Sequence, residues 1–203
     1  MKIAVFGATG GTGRQVLEQG LAKGHEIRAL VRSPEKLEPA SGLEIIAGDV
    51  LDRAAVDQCL TGTDAVICVL GSHGSAQPVE AAGTECIVAG MQRLGIQRLI
   101  AVTSMGVGDS RDQVPAFFRL IMQVTLKKIM AAKEEQERLI RDSGLDWTIV
   151  RPGGLTDGPA TGRYRSGVDK SIQATRVARA DVADFVLQQL LDPRYLRQAP
   201  AVS

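Results

Sequence analysis

The chain has 203 residues, of which 44% are hydrophobic, so it is long enough to bury one substantial core. Its 24 basic and 23 acidic residues leave a formal net charge of +1, which excludes a global field that would hold nucleic acid or an anionic membrane. Because no linker, repeat or low-complexity tract divides the sequence, we expect residues 1–203 to form a single domain.

The predicted elements alternate between apolar strands and amphipathic helices, which is the βαβ pattern of a parallel sheet covered on both faces. In chain order the predicted strands are 2–6, 26–31, 43–47, 65–70, 98–103 and 146–151. The predicted helices are 13–22, 53–60, 79–94, 114–142 and 181–191, with Gly24, Gly95 and Gly144 at C-cap positions. This order predicts an α/β fold, a doubly wound parallel sheet of the Rossmann type, whose ligand crevice lies at the carboxyl ends of the strands.

The first predicted strand runs directly into a glycine-rich turn and then into a helix. The turn reads GxxGxxG, and glycines remove the Cβ atoms that would keep a pyrophosphate away from the backbone. The helix would direct unpaired N–H groups and the positive end of its dipole towards the phosphates. A glycine-rich structural turn is the alternative, but the order strand, turn, helix, strand favours dinucleotide binding. The predicted cofactor-binding residues here are Gly7, Thr9, Gly10, Gly11, Thr12 and Gly13.

The residues after the second strand indicate which dinucleotide is bound. An acidic residue there would bind the 2′-hydroxyl of NAD, whereas Arg32 suits the doubly charged 2′-phosphate of NADP. Ser33 and Lys36 add a hydroxyl and a second cation, so NADP(H) is the predicted cofactor. The alternative is that Arg32 and Lys36 are ordinary solvated side chains. Arg14, just past the glycine turn, points either to the same phosphate or to solvent.

Strands three and four end at residues that suit the adenosine half of the cofactor. Asp49 can accept a hydrogen bond from the adenine amino group while Val50 packs on the ring. The alternative for Asp49 is capping of the next helix, although Asp52 fits that role better. Strand four ends at Leu70 and Gly71, where the backbone passes close to the cofactor, and a plain strand-terminating glycine explains Gly71 equally well.

Strands five and six bring small and polar residues to the crevice. Strand five ends at Thr103 and Ser104, which places the Ser104 hydroxyl near the expected nicotinamide, although an isolated serine is more often a turn residue. Strand six ends at Pro152, and this proline with two flexible successors, Gly153 and Gly154, predicts a wall beside the carboxamide. A simple exit turn is the alternative.

Together these motifs resemble those of the atypical, NmrA-like short-chain dehydrogenase/reductase family. The shared wording is GATGxTG at the first turn, VR after strand two, GD after strand three, TS after strand five, and SGLxWTIxRPG over 143–153. The segments FGATG, GDVL, DAVI and PATGRY are most similar to the biliverdin IXβ reductase/flavin reductase branch. The resemblance runs nearly end to end.

The resemblance implies NADPH-dependent reduction of free flavins (FMN, FAD or riboflavin), with a linear tetrapyrrole such as biliverdin as a second acceptor. Many relatives use a YxxxK pair, but Ile129 stands four residues before Lys133, and the reductase branch has a histidine where this chain has Gly153. Hydride transfer to flavin N5 or to a tetrapyrrole bridge carbon depends chiefly on proximity and orientation, so water can supply the proton.

Two catalytic candidates follow from the resemblance. Ser104 would orient the carboxamide or the substrate, and Lys133 would hold the nicotinamide ribose if its helix faces inward. The alternative for Lys133 is a solvent-side ion pair with Glu137, four residues along the helix. We expect His25 and His73 to be surface residues.

A substrate loop is predicted over residues 156–170, which are rich in Gly, Arg and Asp. Arg163, Tyr164 and Arg165 could meet a flavin phosphate or tetrapyrrole propionates, and a solvated loop explains them nearly as well. Aromatic residues make up only 3% of the chain and Trp147 is expected in the core, so few rings remain for stacking a flavin. We therefore expect weak flavin affinity and a colourless purified protein.

The main rival is a non-catalytic NADP-sensing or assembly protein, which the missing tyrosine keeps open. A sugar-nucleotide epimerase would need that tyrosine and a larger C-terminal domain.

We expect a small-molecule substrate, no nucleic-acid or membrane partner and, by resemblance, a monomer. The early first strand leaves no room for a secretory signal, and no run approaches bilayer length, so we expect a cytoplasmic protein. Three cysteines without metal-ligand spacing predict reduced thiols and no metal site; they are Cys59, Cys68 and Cys86.

Overall fold

Strands and helices alternate along the chain. In the computed structural model, which describes residues 1–72, 78–115 and 126–203, the strands are β1 (Lys2–Phe6), β2 (Glu26–Val31), β3 (Leu43–Ala47), β4 (Ala65–Cys68), β5 (Arg98–Val102), β6 (Asp146–Pro152), β7 (Gly154–Thr156), β8 (Ser166–Gly167), β9 (Arg176–Ala178) and β10 (Ala201–Val202). The α-helices are α1 (Gly11–Ala22), α2 (Arg53–Leu60), α3 (Glu80–Leu94), α4 (Lys127–Asp142) and α5 (Arg179–Gln188), and short 3₁₀ helices cover Pro34–Lys36, Gly108–Gln113 and Pro193–Tyr195.

One sheet contains eight of these strands in the order β3-β2-β1-β4-β5-β6-β10-β8. Neighbouring strands are parallel except β10 with β8. Strand β1 is central, because Ile3 lies opposite Ile27 of β2 on one side and Ala65 of β4 on the other. This topology confirms the predicted doubly wound α/β fold. It also places the expected ligand crevice above the carboxyl end of β1, where the strand order reverses.

Two apolar layers cover the sheet because its central strands are hydrophobic on both faces. Along β1, Ile3 and Val5 belong to the layer that includes α1 and α5. Ala4 and Phe6 belong to the layer that includes α2, α3 and α4. The glycine-rich turn that follows Phe6 therefore starts from a fully packed strand.

The helix ends follow the predicted caps. Asp52 accepts a hydrogen bond from Ala54 N and caps α2. Gly24, Gly95 and Gly144 adopt positive φ just after α1, α3 and α4. All six predicted strands are present in the predicted order.

Several predicted boundaries differ from the observed ones. Strand β4 ends at Cys68 rather than 70, β5 ends at Val102 rather than 103, and β6 ends at Pro152 rather than 151. Helix α1 begins at Gly11 rather than 13, α3 begins at Glu80 rather than 79, and α5 covers Arg179–Gln188 rather than 181–191. Val69 N still donates to Phe6 O, and Thr103 N donates to Val150 O, so the inter-strand hydrogen bonds continue one residue past β4 and β5. Such differences of a few residues are typical of element ends.

The helix predicted over 114–142 is wrong at its start. Val114 is extended, with φ −104° and ψ 130°, directly after the 3₁₀ helix Gly108–Gln113, and α4 begins at Lys127. Pro115 explains the difference, because a proline disfavours helical backbone in the residue before it. Residues 116–125 of the prediction lie outside the described residues.

Four short strands were not predicted from the sequence. Strand β10 adds to the edge of the sheet beside β6, β8 pairs with β10, and β7 and β9 form a separate parallel pair. Strands of two or three residues carry no readable periodicity, so pattern analysis could not find them. Within the described ranges, no helix has the length and apolar character that crossing a bilayer would require.

Candidate functional site

A cleft of about 420 Å³ lies at the carboxyl ends of the first strands in the sheet. It brings together many of the predicted cofactor-binding residues: Gly7, Thr9, Gly10, Gly11, Arg32, Lys36, Asp49, Val50, Leu70 and Gly71. Its walls therefore come from the turns after β1, β2, β3 and β4, which the parallel order of the sheet places at one edge.

The glycine turn at the base of the cleft has no room for side chains at two positions. Gly7 has φ +87°, and a Cβ there would lie less than 3.0 Å from the Val69 carbonyl. A Cβ on Gly13 would lie less than 3.0 Å from the backbone of Gly7 and Ala8. Gly13 and the buried Thr12 do not line the cleft, and the cofactor role predicted for these two residues stays a prediction.

The start of α1 is suited to an anion. Its N-cap, Gly10, offers no side-chain hydrogen bond, and its first turn contains no acidic residue. The first N–H groups of the helix and its positive dipole end are thus left for a ligand at the cleft. Together with the absent Cβ atoms of the turn, this geometry fits a dinucleotide pyrophosphate.

Two cations stand at the rim of the cleft beyond β2. Arg32 and Lys36 are exposed, both line the cleft, and neither side chain forms a hydrogen bond or ion pair with any residue the structure describes. Arg14 is different, because its guanidinium donates to Thr9 O and to Lys36 O. Arg14 is exposed, in line with the solvent alternative, but these two carbonyls hold its side chain, and a role at the phosphate stays a prediction.

The part of the cleft that was predicted to hold the adenine is formed by the turn after β3. Asp49 Oδ1 accepts a hydrogen bond from Leu51 N, whereas Asp52 caps α2, so the capping alternative for Asp49 is wrong. Val50 is half-buried against α3, where a Cβ on Gly83 would lie 2.9 Å from Val50 Cγ1. The adenine role of this pair stays a prediction.

The residues predicted near the nicotinamide lie farther along the same edge of the sheet and do not line the cleft described above. Thr103 is buried, and its Oγ1 donates to Glu137 Oε1 at 2.8 Å. Ser104 is half-buried, and its Oγ donates to Met105 O at 3.0 Å. Met105 N donates in turn to the carbonyl of the buried Pro152, so the ends of β5 and β6 are fastened together.

The interpretation of Gly153 and Gly154 as flexible is wrong. Gly153 N donates to Val202 O, and Gly154 N donates to Thr175 O. A Cβ on Gly153 would lie less than 3.0 Å from that Thr175 carbonyl. The segment before β9 therefore fills the space that a side chain at position 153 would need.

Lys133 faces inward from α4. It is half-buried, and burial lowers the pKa of its ammonium group. The nearby Glu80, Cys68 and Glu137 oppose this lowering through their charges. Glu137 is 3% exposed and forms no hydrogen bond or ion pair with Lys133 among the described contacts, so the solvent-side ion pair is wrong. Ile129 precedes Lys133 by one helical turn and supplies no phenol.

An ionic network below the ends of β5 and β6, with Arg151 and Glu137 buried and Asp109 exposed, was missed by sequence analysis. Arg151 Nε and Nη2 donate to the two carboxylate oxygens of Glu137 at 2.9 and 2.6 Å, and Nη1 donates to Asp109 at 2.7 Å. Burial opposes the charge on Asp109, but its hydrogen bond with Arg151 and the charge of that arginine lower the pKa of Asp109 overall. The network joins α4 to β5 through Thr103.

Arg179, at the start of α5, is a second residue that sequence analysis missed. A Cβ on Gly11 would lie 2.6 Å from Arg179 Cδ and 2.8 Å from its Nε, so this side chain lies over the glycine turn. Its Nη1 donates to Asp157 Oδ1 at 2.7 Å. Its charge is paired with that of Asp157, and Arg179 is not among the residues that line the cleft. No local motif could have revealed it, because the contact joins distant parts of the chain.

The predicted substrate loop, 156–170, is tied to α5 and to the sheet edge. Asp181 accepts hydrogen bonds from Thr161 and Gly162, and Arg165 exchanges backbone hydrogen bonds with Ser203. Tyr164 is half-buried, packs edge-on against Phe185 and contacts Asp184, and its role as a substrate contact stays a prediction. Arg163 and Arg165 are exposed.

The remaining expectations concern isolated residues. Trp147 is confirmed in the core at 5% exposure, His25 is half-buried, and His73 lies outside the described residues. Cys59, Cys68 and Cys86 are free thiols. In the part of the chain that the structure covers, no three or more His, Cys, Asp or Glu side chains form a cluster that could hold a metal ion.

A glycine cradle at the switch point of a doubly wound sheet defines a dinucleotide-binding protein. The chain belongs to the NAD(P)H-binding family, which matches residues 7–193. An uncharacterised chloroplastic protein of Arabidopsis thaliana is 32% identical over 94% of this chain and 72% of its own length.

Two further relatives are named for reductase reactions. A (4-alkanoyl-5-oxo-2,5-dihydrofuran-3-yl)methyl phosphate reductase of Streptomyces griseus is 34% identical over 74% of this chain, which spans only 46% of that protein. The anaerobilin reductase ChuY of Escherichia coli O157:H7 superposes with a TM-score of 0.81 and 26% identity, over 100% of this chain and 96% of its own. Family and relatives together support an NAD(P)H-dependent oxidoreductase.

Proposed function

We propose that this protein is an NADPH-dependent reductase that transfers hydride to free flavins and, as a second acceptor class, to a linear tetrapyrrole such as biliverdin. The observation that carries the cofactor choice is that Arg32 and Lys36, at the rim of the cleft, have no side-chain hydrogen bond or ion pair with any described residue. A 2′-phosphate would give both side chains a charged hydrogen-bond partner, whereas a 2′-hydroxyl would not.

The choice of acceptor rests on two observations: no tyrosine is available at position 129 as a proton donor, and Lys133 and Ser104 are available to position the reactants. Bound NADPH supplies a hydride from its nicotinamide ring. Lys133, inward-facing on α4, would hold the nicotinamide ribose, and Ser104 would orient the carboxamide or the acceptor. Since Ile129 offers no acidic hydroxyl, an acceptor that takes its proton from water suits this site better than a simple ketone.

Reductase relatives support the same proposal. The similarity to an anaerobilin reductase makes a bilin a reasonable acceptor to test, and flavins are the acceptors implied by the family branch that the sequence resembles. The small number of aromatic rings, 3% of the chain, favours an acceptor that binds weakly and leaves after reduction.

The test is steady-state oxidation of NADPH with FMN, FAD, riboflavin or biliverdin. We expect the rate to exceed the no-enzyme rate and to fall about tenfold or more in Ser104→Ala, in line with losing one positioning hydrogen bond. Ser41→Ala, in an exposed loop outside this cleft, is the matched control and should keep the wild-type rate.

The alternative function is NADP sensing or assembly without catalysis. It rests on the isoleucine at position 129, where catalytic relatives have a tyrosine. Such a protein would bind NADPH yet oxidise it no faster than buffer with every acceptor above. That result would overturn the reductase proposal while leaving the cofactor assignment intact.

A further inference from the structure

Arg14 connects two rims of the cofactor cleft. Its Nε donates to Thr9 O at 3.2 Å, and its Nη2 donates to Lys36 O at 2.7 Å. Thr9 belongs to the glycine turn and Lys36 to the 3₁₀ helix after β2, and both residues line the cleft. One side chain thus joins the phosphate end of the cleft to the turn that carries the two free cations.

The turn that Arg14 holds has few other restraints. Within it, Lys36 N donates to Ser33 O and Leu37 N donates to Pro34 O. Its far end is anchored by the buried Leu37, 6% exposed. Across the described parts of the chain, Arg14 supplies the only hydrogen bond that reaches residues 32–36 from a side chain outside the turn.

Arg14 is itself well anchored at its backbone. Its N–H donates to Gly10 O at 2.8 Å, which is the first hydrogen bond of α1. The preceding residue, Gly13, is packed against the backbone of Gly7. The guanidinium uses two of its five N–H groups on the two carbonyls, so its position is set by a rigid helix start and two acceptors.

We propose that Arg14 is a specificity-determining residue, which holds the turn so that Arg32 and Lys36 face one phosphate monoester on the adenosine ribose. This inference rests on the proposed use of NADPH. Gripping a phosphate with two long side chains on a mobile turn costs backbone and rotamer entropy, and a turn already held in place loses less. A dinucleotide without the 2′-phosphate does not engage these cations and gains nothing from the restraint.

Calorimetric titration with NADP⁺ and NAD⁺ tests the inference without any need for turnover. For Arg14→Met we expect the affinity for NADP⁺ to fall about tenfold, which is the size of effect expected for losing a charge-assisted hydrogen bond. We expect the affinity for NAD⁺ to change by less than about twofold. Arg14→Lys keeps a donor for one carbonyl and should recover part of the preference. Arg194→Met removes the same charge from an exposed turn outside the cleft and should match wild type.

The outcomes separate the two proposals. A wild-type preference for NADP⁺ that survives in Arg14→Met would overturn the role of Arg14 alone. Equal losses for both dinucleotides would also overturn it, because they would indicate a general structural role. Equal affinities of the wild-type protein for NADP⁺ and NAD⁺ would overturn the proposed cofactor preference and this inference with it. Thermal unfolding of each variant verifies that it is folded.

Discussion

Single glycines shape the site by leaving space that backbone atoms occupy. Gly7 lets the turn after β1 pass close to the Val69 carbonyl, and Gly13 lets α1 pack against the backbone of Gly7 and Ala8. Gly153 has a different purpose, since the Thr175 carbonyl takes the place of its missing side chain. That contact holds the end of β6 against the segment that leads into β9.

We expect Gly153→Ala to lower the free energy of unfolding by about 1–3 kcal/mol, because the added Cβ would push the Thr175 backbone away. Urea unfolding followed by circular dichroism measures the change. Gly158→Ala is the matched control, since no atom lies within 4 Å of its would-be Cβ. If Gly153→Ala had the same free energy of unfolding as wild type, the backbone around Thr175 would be shown to move aside without cost.

The glycine turn, Arg32 and Asp49 could be predicted from the sequence because each belongs to a short motif at a strand end. Arg179 and Thr175 could not, because they reach the site only through tertiary packing. Arg14 shows the intermediate case. Its position next to the turn was readable, but its partners became visible only when Lys36 was placed beside Thr9.

At the scale of elements, α4 is held to the sheet by the buried pair of Glu137 and Arg151. Both side chains are 4% exposed, and Thr103 donates a further hydrogen bond to the same carboxylate. Because α4 also carries Lys133, the pair fixes the helix that would hold the nicotinamide ribose. The sequence spacing of Lys133 and Glu137 suggested one exposed ion pair, but their shared helix face is directed inward and Glu137 has another partner.

We expect Arg151→Met to lower the free energy of unfolding by about 3–5 kcal/mol, because it removes the bidentate partner of the buried Glu137 carboxylate, which keeps only the Thr103 hydroxyl and a 3.5 Å contact with Arg141. The double variant Glu137→Met/Arg151→Met should regain most of the loss, since no uncompensated charge remains. Chemical unfolding of the single and double variants gives the coupling. Glu135→Gln breaks a solvent-exposed pair with Arg138 on the same helix and should leave the unfolding midpoint unchanged. Additive effects of the two methionine substitutions would contradict this account of the pair.

Across the whole molecule, the doubly wound sheet that sequence analysis predicted accounts for the position of the cleft, because alternating strands and helices constrain the topology strongly. The C-terminal additions were not predictable. Strands β8 and β10 are two residues each, and they tie residues 165–167 and 201–203 to the edge beside β6. The region proposed to admit substrate is therefore attached to the same sheet that carries the cofactor.

We propose that the cleft above β1 binds a nicotinamide dinucleotide through its 2′-phosphate. Isothermal titration of the folded protein with NADPH and NADH, for wild type beside Arg32→Ala, is the decisive measurement. We expect measurable binding of NADPH by wild type, and a loss of about 1–3 kcal/mol of NADPH binding free energy in the variant with little change for NADH. No binding heat with NADPH, or equal losses for the two dinucleotides, would show that the 2′-phosphate is not bound in this way.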